Sequence, residues 1–180
     1  ESRPFDREFA GIRNFEPISR SHPGLVQILH VGINEKDGCF FYVMELADDF
    51  SSAAAVNPDE YCPRTLSRIL RESRRIGVEE CVRIGLRLTE ALAHLHDAGK
   101  VHRDIKPSNV IFVNGEPKLA DIGLVSEINP GCSFVGTEGY VPREGPGTPQ
   151  ADLYSLGKVL YEISTGKDRL DFPEMPTDLD

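Results

Sequence analysis

A helical pattern that stops at Gly99 and a hairpin turn at Asn114-Gly115 leave room between them for one short loop. That loop reads His102-Arg103-Asp104-Ile105-Lys106-Pro107-Ser108-Asn109. The octapeptide needs a helix to deliver it and a hairpin to receive it, and it crowds a carboxylate, an ammonium and a carboxamide together. Asp104 can accept the proton of an attacking hydroxyl. Lys106, two residues on, projects the same way and can neutralise charge on a transferring phosphate. Asn109 can offer its side-chain oxygen to a magnesium ion. A second oxygen ligand belongs just after the hairpin, and Asp121-Ile122-Gly123 stands there. The set suits phosphoryl transfer from ATP with Mg2+.

The rest of the chain is consistent with a single domain of mixed α+β class. Its 180 residues are enough to bury a core. A net charge of −9 argues against nonspecific binding to nucleic acid or anionic membranes. No apolar run approaches the ~18 residues of a membrane span, and no signal peptide is visible. Cys39, Cys62, Cys81 and Cys132 are scattered with no C-x-x-C pair, which argues against zinc. They read as reduced and mostly packed, as in a cytoplasmic protein. The chain opens at Glu1, almost directly into a helical pattern, and stops soon after Pro173 in a short acidic tail, so both ends read as cut.

Periodicity predicts a helix over Phe5–Ile18 that ends near Pro17, and β-runs over Leu25–Gly32 and Cys39–Leu46 joined by a turn. A polar loop follows, then a short basic helix over Thr65–Arg74. The strongest helix spans Val78–Asp97, with Cys81, Gly85, Leu88, Leu92 and Leu95 inward. Val110–Val113 and Pro117–Ala120 form the hairpin around Asn114-Gly115. Residues 126–148 read as loop throughout. A last helix over Ala151–Thr165 turns Leu153, Leu156, Leu160 and Ile163 inward and stops at Gly166.

Five features in this order resemble the Hanks-type (eukaryotic-like) serine/threonine protein kinases over essentially the whole chain. They are His102–Asn109, Asp121-Ile122-Gly123, Gly136-Thr137, Pro142-Arg143-Glu144 and Asp152-Leu153-Tyr154-Ser155-Leu156-Gly157. The resemblance implies a two-lobed kinase-like fold, here partial. Residues 1–46 would belong to the small lobe and 47–64 to the hinge and linker. Residues 65–180 would form the first half of the large lobe. It implies Asp104 as catalytic base, Lys106 as charge stabiliser, and Asn109 and Asp121 as Mg2+ ligands, with a protein Ser/Thr hydroxyl as acceptor. Met44 falls at the gatekeeper position, the backbone of Glu45 and Ala47 would face adenine, and Ile111 would floor the base. His102 is structural by the same likeness. Arg103 is the residue that commonly receives an activation-loop phosphate, with Ser126, Ser133 and Thr137 in that loop and Ser133 favoured as phosphosite. Thr137 would steady the catalytic loop. Glu144 matches the acid of Ala-Pro-Glu, and Asp152 would brace the loop from the last helix. Glu8 is the candidate to pair with an ATP-anchoring lysine, with Glu16 as its rival beside Pro17.

The departures are specific. No G-x-G-x-x-G strand pair and no V-A-x-K lysine precede Glu8, and the helices expected after the last one are missing. Ile122 stands where Phe is usual, and Arg143 where Pro is. A truncated or pseudokinase-like interaction module without activity is the alternative reading. A small-molecule phosphotransferase is a third, disfavoured by the Arg-Asp-x-Lys-Pro order.

Overall fold

The strongest amphipathic pattern becomes the longest helix. In the computed structural model, which describes residues 4–34, 36–51, 57–121, 125–129 and 136–177 (backbone alone for 4–8), Val78–Asp97 forms a 20-residue helix. The elements run α1 (Pro4–Arg20), β1 (Ile28–Asn34), β2 (Cys39–Met44), α2 (Leu66–Glu72), α3 (Val78–Asp97), β3 (Lys100–Val101), β4 (Val110–Val113), β5 (Glu116–Leu119), β6 (Ser126–Glu127) and α4 (Pro149–Thr165). Each sheet among the described residues is an antiparallel pair: β1 with β2, β3 with β6, and β4 with β5.

The core follows from the inward stripe of α3. Ile84, Leu88, Leu92 and Leu95 are fully buried and join Phe15, Leu25, Leu66, Ile105, Phe112, Leu119, Leu156, Val159 and Ile163 in one cluster. Burying such side chains is worth roughly 1.5–3 kcal/mol each, so α3 is the axis on which the other elements settle. α4 and β5 both pack against it. The octapeptide loop leaves the C-terminal end of α3, and β4 and β5 return beside it.

Several expectations from the pattern are corrected. α1 runs through Pro17 to Arg20 rather than ending near Pro17. A proline there removes one N–H, and side chains hold the final turn instead. Arg20 donates to the carbonyls of Ile28 and Leu29, at 2.6 Å each, and pairs with Glu16 at 2.8 Å. Leu25 and Val26 lie outside β1, because they run along β5 instead: Val26 N–H donates to the Leu119 carbonyl at 2.9 Å. Residues 126–148 are not loop throughout, since Ser126 and Glu127 pair with Val101 and Lys100. Leu153 is 48% exposed, not inward. Leu156 and Ile163 are inward as the pattern predicts, Leu160 is half-buried against the core, and Asp152, Ser155 and Val159 complete the inner face of α4. Of the described cysteines Cys81 alone is buried, and Cys39 is exposed.

Gly166 ends α4 in the left-handed region at φ +69°, its N–H bonded to the Glu162 carbonyl at 2.9 Å. A Cβ there would lie 2.6 Å from the Arg74 carbonyl oxygen, the backbone leading into α3. Gly166→Ala is therefore expected to cost about 1–3 kcal/mol from backbone strain, with the clash added. Thermal denaturation followed by circular dichroism checks it, and an unchanged Tm would mean that the 74–75 backbone yields freely.

Candidate active site

The loop after α3 is held by a buried carboxylate. Asp152, 1% exposed in the first turn of α4, accepts the backbone N–H of His102 at 2.8 Å and of Arg103 at 2.9 Å. Its Oδ2 also meets His96 Nε2 at 2.8 Å. These bonds stabilise an unfavourable conformation, since Arg103 sits at φ +73°. His102 is buried, and burial pushes its pKa below the ordinary 6.5. Its Nε2 meets the Ala120 carbonyl at 3.1 Å, which ties the loop to the residue before Asp121.

Beyond Arg103 the side chains converge. Lys106 Nζ donates to Asp104 Oδ2 at 2.6 Å and to Thr137 Oγ1 at 3.0 Å. Thr137 Oγ1 in turn donates to Asp104 Oδ1 at 2.8 Å. Asn109 Nδ2 donates to the Asp104 carbonyl at 2.9 Å and to Oδ2 at 3.0 Å. Burial alone would raise the Asp104 pKa, but the hydrogen bonds from Lys106, Thr137 and Asn109 outweigh it and hold the carboxyl below its ordinary 3.8. At neutral pH this is an ionised carboxylate with fixed lone pairs beside a cation.

Asn109 orients itself for a second task. With Nδ2 committed to Asp104, its Oδ1 is left as an acceptor, touched by Ser108 Oγ at 3.3 Å. The Asn109 carbonyl accepts the Ala120 N–H at 2.8 Å, so the chain enters Asp121 from a fixed point. Asp121 is exposed and left-handed at φ +60°. An amide oxygen and a carboxylate are hard donors that suit Mg2+. Among the described residues no three His, Cys, Asp or Glu side chains cluster as a metal cage. A pair of protein ligands fits an ion that completes its shell with water and phosphate oxygens.

Of the residues expected around adenine, Met44 ends β2, Glu45 and Ala47 follow it, and Ile111 lies in β4. Glu45 N–H donates to the Gln27 carbonyl at 3.0 Å, and the Ala47 carbonyl accepts from Tyr61 Oη at 3.1 Å. Ala47 and Ile111 are buried in a second apolar cluster with Val26, Val113 and Ala120. Met44 is 43% exposed. Arg103 Nη1 donates to Ser126 Oγ at 3.3 Å. Glu144 is exposed. Ser133, Ile122, Gly123 and the side chain of Glu8 lie outside the described residues; Glu8's rival Glu16 is paired with Arg20.

Three interactions had no counterpart in the sequence reading. Lys118 and Glu45 form a bidentate ion pair at 2.6 and 2.8 Å, with Glu45 Oε2 also accepting the Gln27 N–H. The Asp48 carboxylate accepts the N–H groups of Asn114 and Gly115 at 2.7 and 2.8 Å, locking the hairpin turn. Tyr140, Glu162 and Arg169 form a partly buried cluster below Thr137. Glu162 alone carried a signal, as an acid on the inner face of α4.

Residues 15–175 match the protein kinase domain family. A probable serine/threonine-protein kinase of Clostridium perfringens is 31% identical over 174 residues, covering 91% of this chain and 22% of that protein. The probable serine/threonine-protein kinase PknB of Corynebacterium glutamicum is 30% identical, covering 82% of this chain and 23% of its own length. Serine/threonine-protein kinase PrkC of Bacillus subtilis is 29% identical, covering 90% and 24%. The chain thus spans less than a quarter of the length of these relatives. Among the described residues, no helix is long and apolar enough to cross a membrane. A match over nearly the whole chain, carried by bacterial relatives all named for the same activity, assigns it to the protein kinase family, among the Hanks-type serine/threonine members.

Proposed function

We propose that this chain carries the phosphoryl-transfer centre of a kinase acting on protein Ser/Thr hydroxyls, with ATP as donor. The observation that carries the reading is the closed set Asp104–Lys106–Thr137–Asn109, in which every polar group has its position fixed by another. Asp104 orients the incoming hydroxyl and takes its proton. Lys106 stands where negative charge gathers on the transferring phosphoryl, and Thr137 bridges the Lys106–Asp104 ion pair by accepting from one and donating to the other. Asn109 and Asp121 would hold Mg2+, which when bound neutralises charge on the nucleotide phosphates. The protein's share is positioning and electrostatics, with no covalent step of its own. In this reading residues 1–46 are small-lobe structure, 47–64 hinge and linker, and 65–180 large-lobe structure.

A second reading, an interaction module without activity, is favoured by one feature. β1, β2 and the segment after them expose Leu29, Ile33, Phe41, Val43 and Leu46 at roughly half their area. The discriminating measurement is transfer of labelled γ-phosphate from ATP to a mixed Ser/Thr peptide pool, using the polypeptide as its gene encodes it. Mg2+-dependent label on Ser or Thr is the expected result. A protein that neither binds Mg-ATP in calorimetry nor labels peptide is the module instead, and label on small molecules alone would place it among the phosphotransferases.

A further inference from the structure

Thr137 bridges Asp104 and Lys106 through one hydroxyl, at 2.8 and 3.0 Å, from a tight turn whose Tyr140 N–H reaches back to the Thr137 carbonyl at 3.2 Å. Gly136, at φ +119°, packs so closely that a Cβ would lie 2.8 Å from the Arg103 carbonyl, so the turn is pressed against the octapeptide from one side. On its other side lies Arg169, beyond the end of α4. Arg169 Nε donates to the Glu138 carbonyl at 2.9 Å. Its guanidinium carbon lies 4.8 Å from the centre of the Tyr140 ring. A Cβ on Gly139 would come within 2.8 Å of Arg169 Nε. One side chain thus touches all three residues that follow Glu138's neighbour Thr137 in the turn.

What holds Arg169 is equally defined. Glu162, buried on the inner face of α4, accepts the Tyr140 hydroxyl on Oε2 and the Arg169 N–H at 3.2 Å on Oε1. The Arg169 guanidinium lies 3.8 Å from the same Oε1 and 3.1 Å from Asp168 Oδ2. Lys158 Nζ donates to the Arg169 carbonyl at 3.0 Å, and Ser155 Oγ donates to the Tyr140 carbonyl at 2.8 Å. The turn is therefore clamped between α4 and Arg169. A guanidinium suits this place because it is flat enough to lie on a ring while donating sideways and compensating a buried carboxylate; an ammonium cannot do all three.

We propose that Arg169 is a positioning residue for the candidate active site: by bracketing Glu138, Gly139 and Tyr140 and neutralising Glu162, it sets where the Thr137 hydroxyl meets Asp104 and Lys106. The inference rests on the kinase reading only for its rate consequence. Small displacements of positioned groups in such sites cost rate steeply, and Arg169→Gln is expected to lower kcat by about ten- to a hundredfold with KM for ATP unchanged.

Two measurements test it. In the gene-encoded polypeptide with labelled methyl groups, Arg169→Gln should move the Thr137 methyl resonance while those of Leu92 and Ile163 stay in place. Arg169→Lys, which keeps the charge for Glu162 and loses the fork and the stacking, should move it partway and serves as the variant if the glutamine form does not fold. An unmoved Thr137 resonance, or core methyls moving with it, overturns the proposal. In the gene-encoded polypeptide, the kcat loss from Arg169→Gln should vanish in a Thr137→Val background, because both act through one hydroxyl; additive losses overturn it. If the unsubstituted protein transfers no phosphate, the kinase reading falls, and the methyl spectra still decide the role of Arg169.

Discussion

Asp104→Asn is expected to lower phosphoryl transfer by a factor on the order of 10²–10⁴, the range for loss of a positioned acid–base group. The substitution keeps the volume and removes the charge. Lys106 Nζ, now 2.6 Å from a carboxylate oxygen, would face a neutral amide and turn toward other acceptors. One of the two new side-chain positions must be an NH2, which cannot accept. If it falls at Oδ2, it meets the Lys106 and Asn109 donors; if at Oδ1, it meets the Thr137 hydroxyl. At Oδ2 two hydrogen bonds are lost as well as the base, whereas at Oδ1 the Thr137 hydroxyl has to turn from donor to acceptor. Asp104 is a weak base, held below the ordinary carboxylate pKa once its hydrogen bonds outweigh burial. Its expected work is to aim the hydroxyl and take the proton late, so the loss should fall on kcat rather than on KM for ATP. The measurement is steady-state labelling of a Ser/Thr peptide by the gene-encoded polypeptide, with Tm recorded alongside. A variant of unchanged Tm that retains more than a tenth of the rate would remove Asp104 from the chemistry.

Much of this arrangement could be read from the chain because its parts are local. The octapeptide places Asp104, Lys106 and Asn109 within one short loop, and Asn114-Gly115 dictates the hairpin that brings Asp121 back. α3 announced itself through a long stripe whose period admits one structure. The misreadings have a common cause, which is that partners distant in sequence decided them. Pro17 looked like a helix end because nothing nearby shows Arg20 reaching the carbonyls of Ile28 and Leu29. Ser126 and Glu127 looked like loop because a two-residue strand exists only through its pairing with β3. Leu153 looked inward because the apolar letters of α4 were counted, while the face is set by Asp152 and Ser155, two polar residues buried for their hydrogen bonds.

The same rule explains why the polar framework around the site was hard to foresee. Lys118 and Glu45 are 73 residues apart, and a lone lysine in a short strand gives no hint of so distant a partner. Arg169 follows the helix that ends at Gly166, in a stretch whose composition reads as a polar tail. Its contacts with Glu138 and Tyr140 appear only when α4 is folded back against the turn. The candidate catalytic groups lie together in one motif; the groups that hold them still are distributed over elements that meet only in the folded chain.

Asp152→Ala is expected to be strongly destabilising while leaving every candidate catalytic side chain unsubstituted. The carboxylate is 1% exposed and serves three donors: two backbone N–H groups on consecutive residues and the His96 ring. Truncation leaves the buried His102 N–H without its acceptor. It also releases Arg103 from the φ +73° that the paired bonds maintain. Each orphaned buried donor costs about 1–3 kcal/mol, and removing one partner of a buried charged network about 3–5 kcal/mol in all. Set against the usual 5–15 kcal/mol of net stability, this is about a fifth of the total or more. At about 2–4 °C per kcal/mol for a chain of this size, Tm should fall by roughly 6–20 °C. Asp152→Asn keeps one accepting oxygen and should fall in between, because it can serve His102 or Arg103 but not both. Thermal denaturation of both variants beside the unsubstituted chain reads the effect directly. A loss under about 1 kcal/mol for the alanine form would mean that the octapeptide holds its own conformation, and the bracing role would pass from Asp152 to the His102–Ala120 contact.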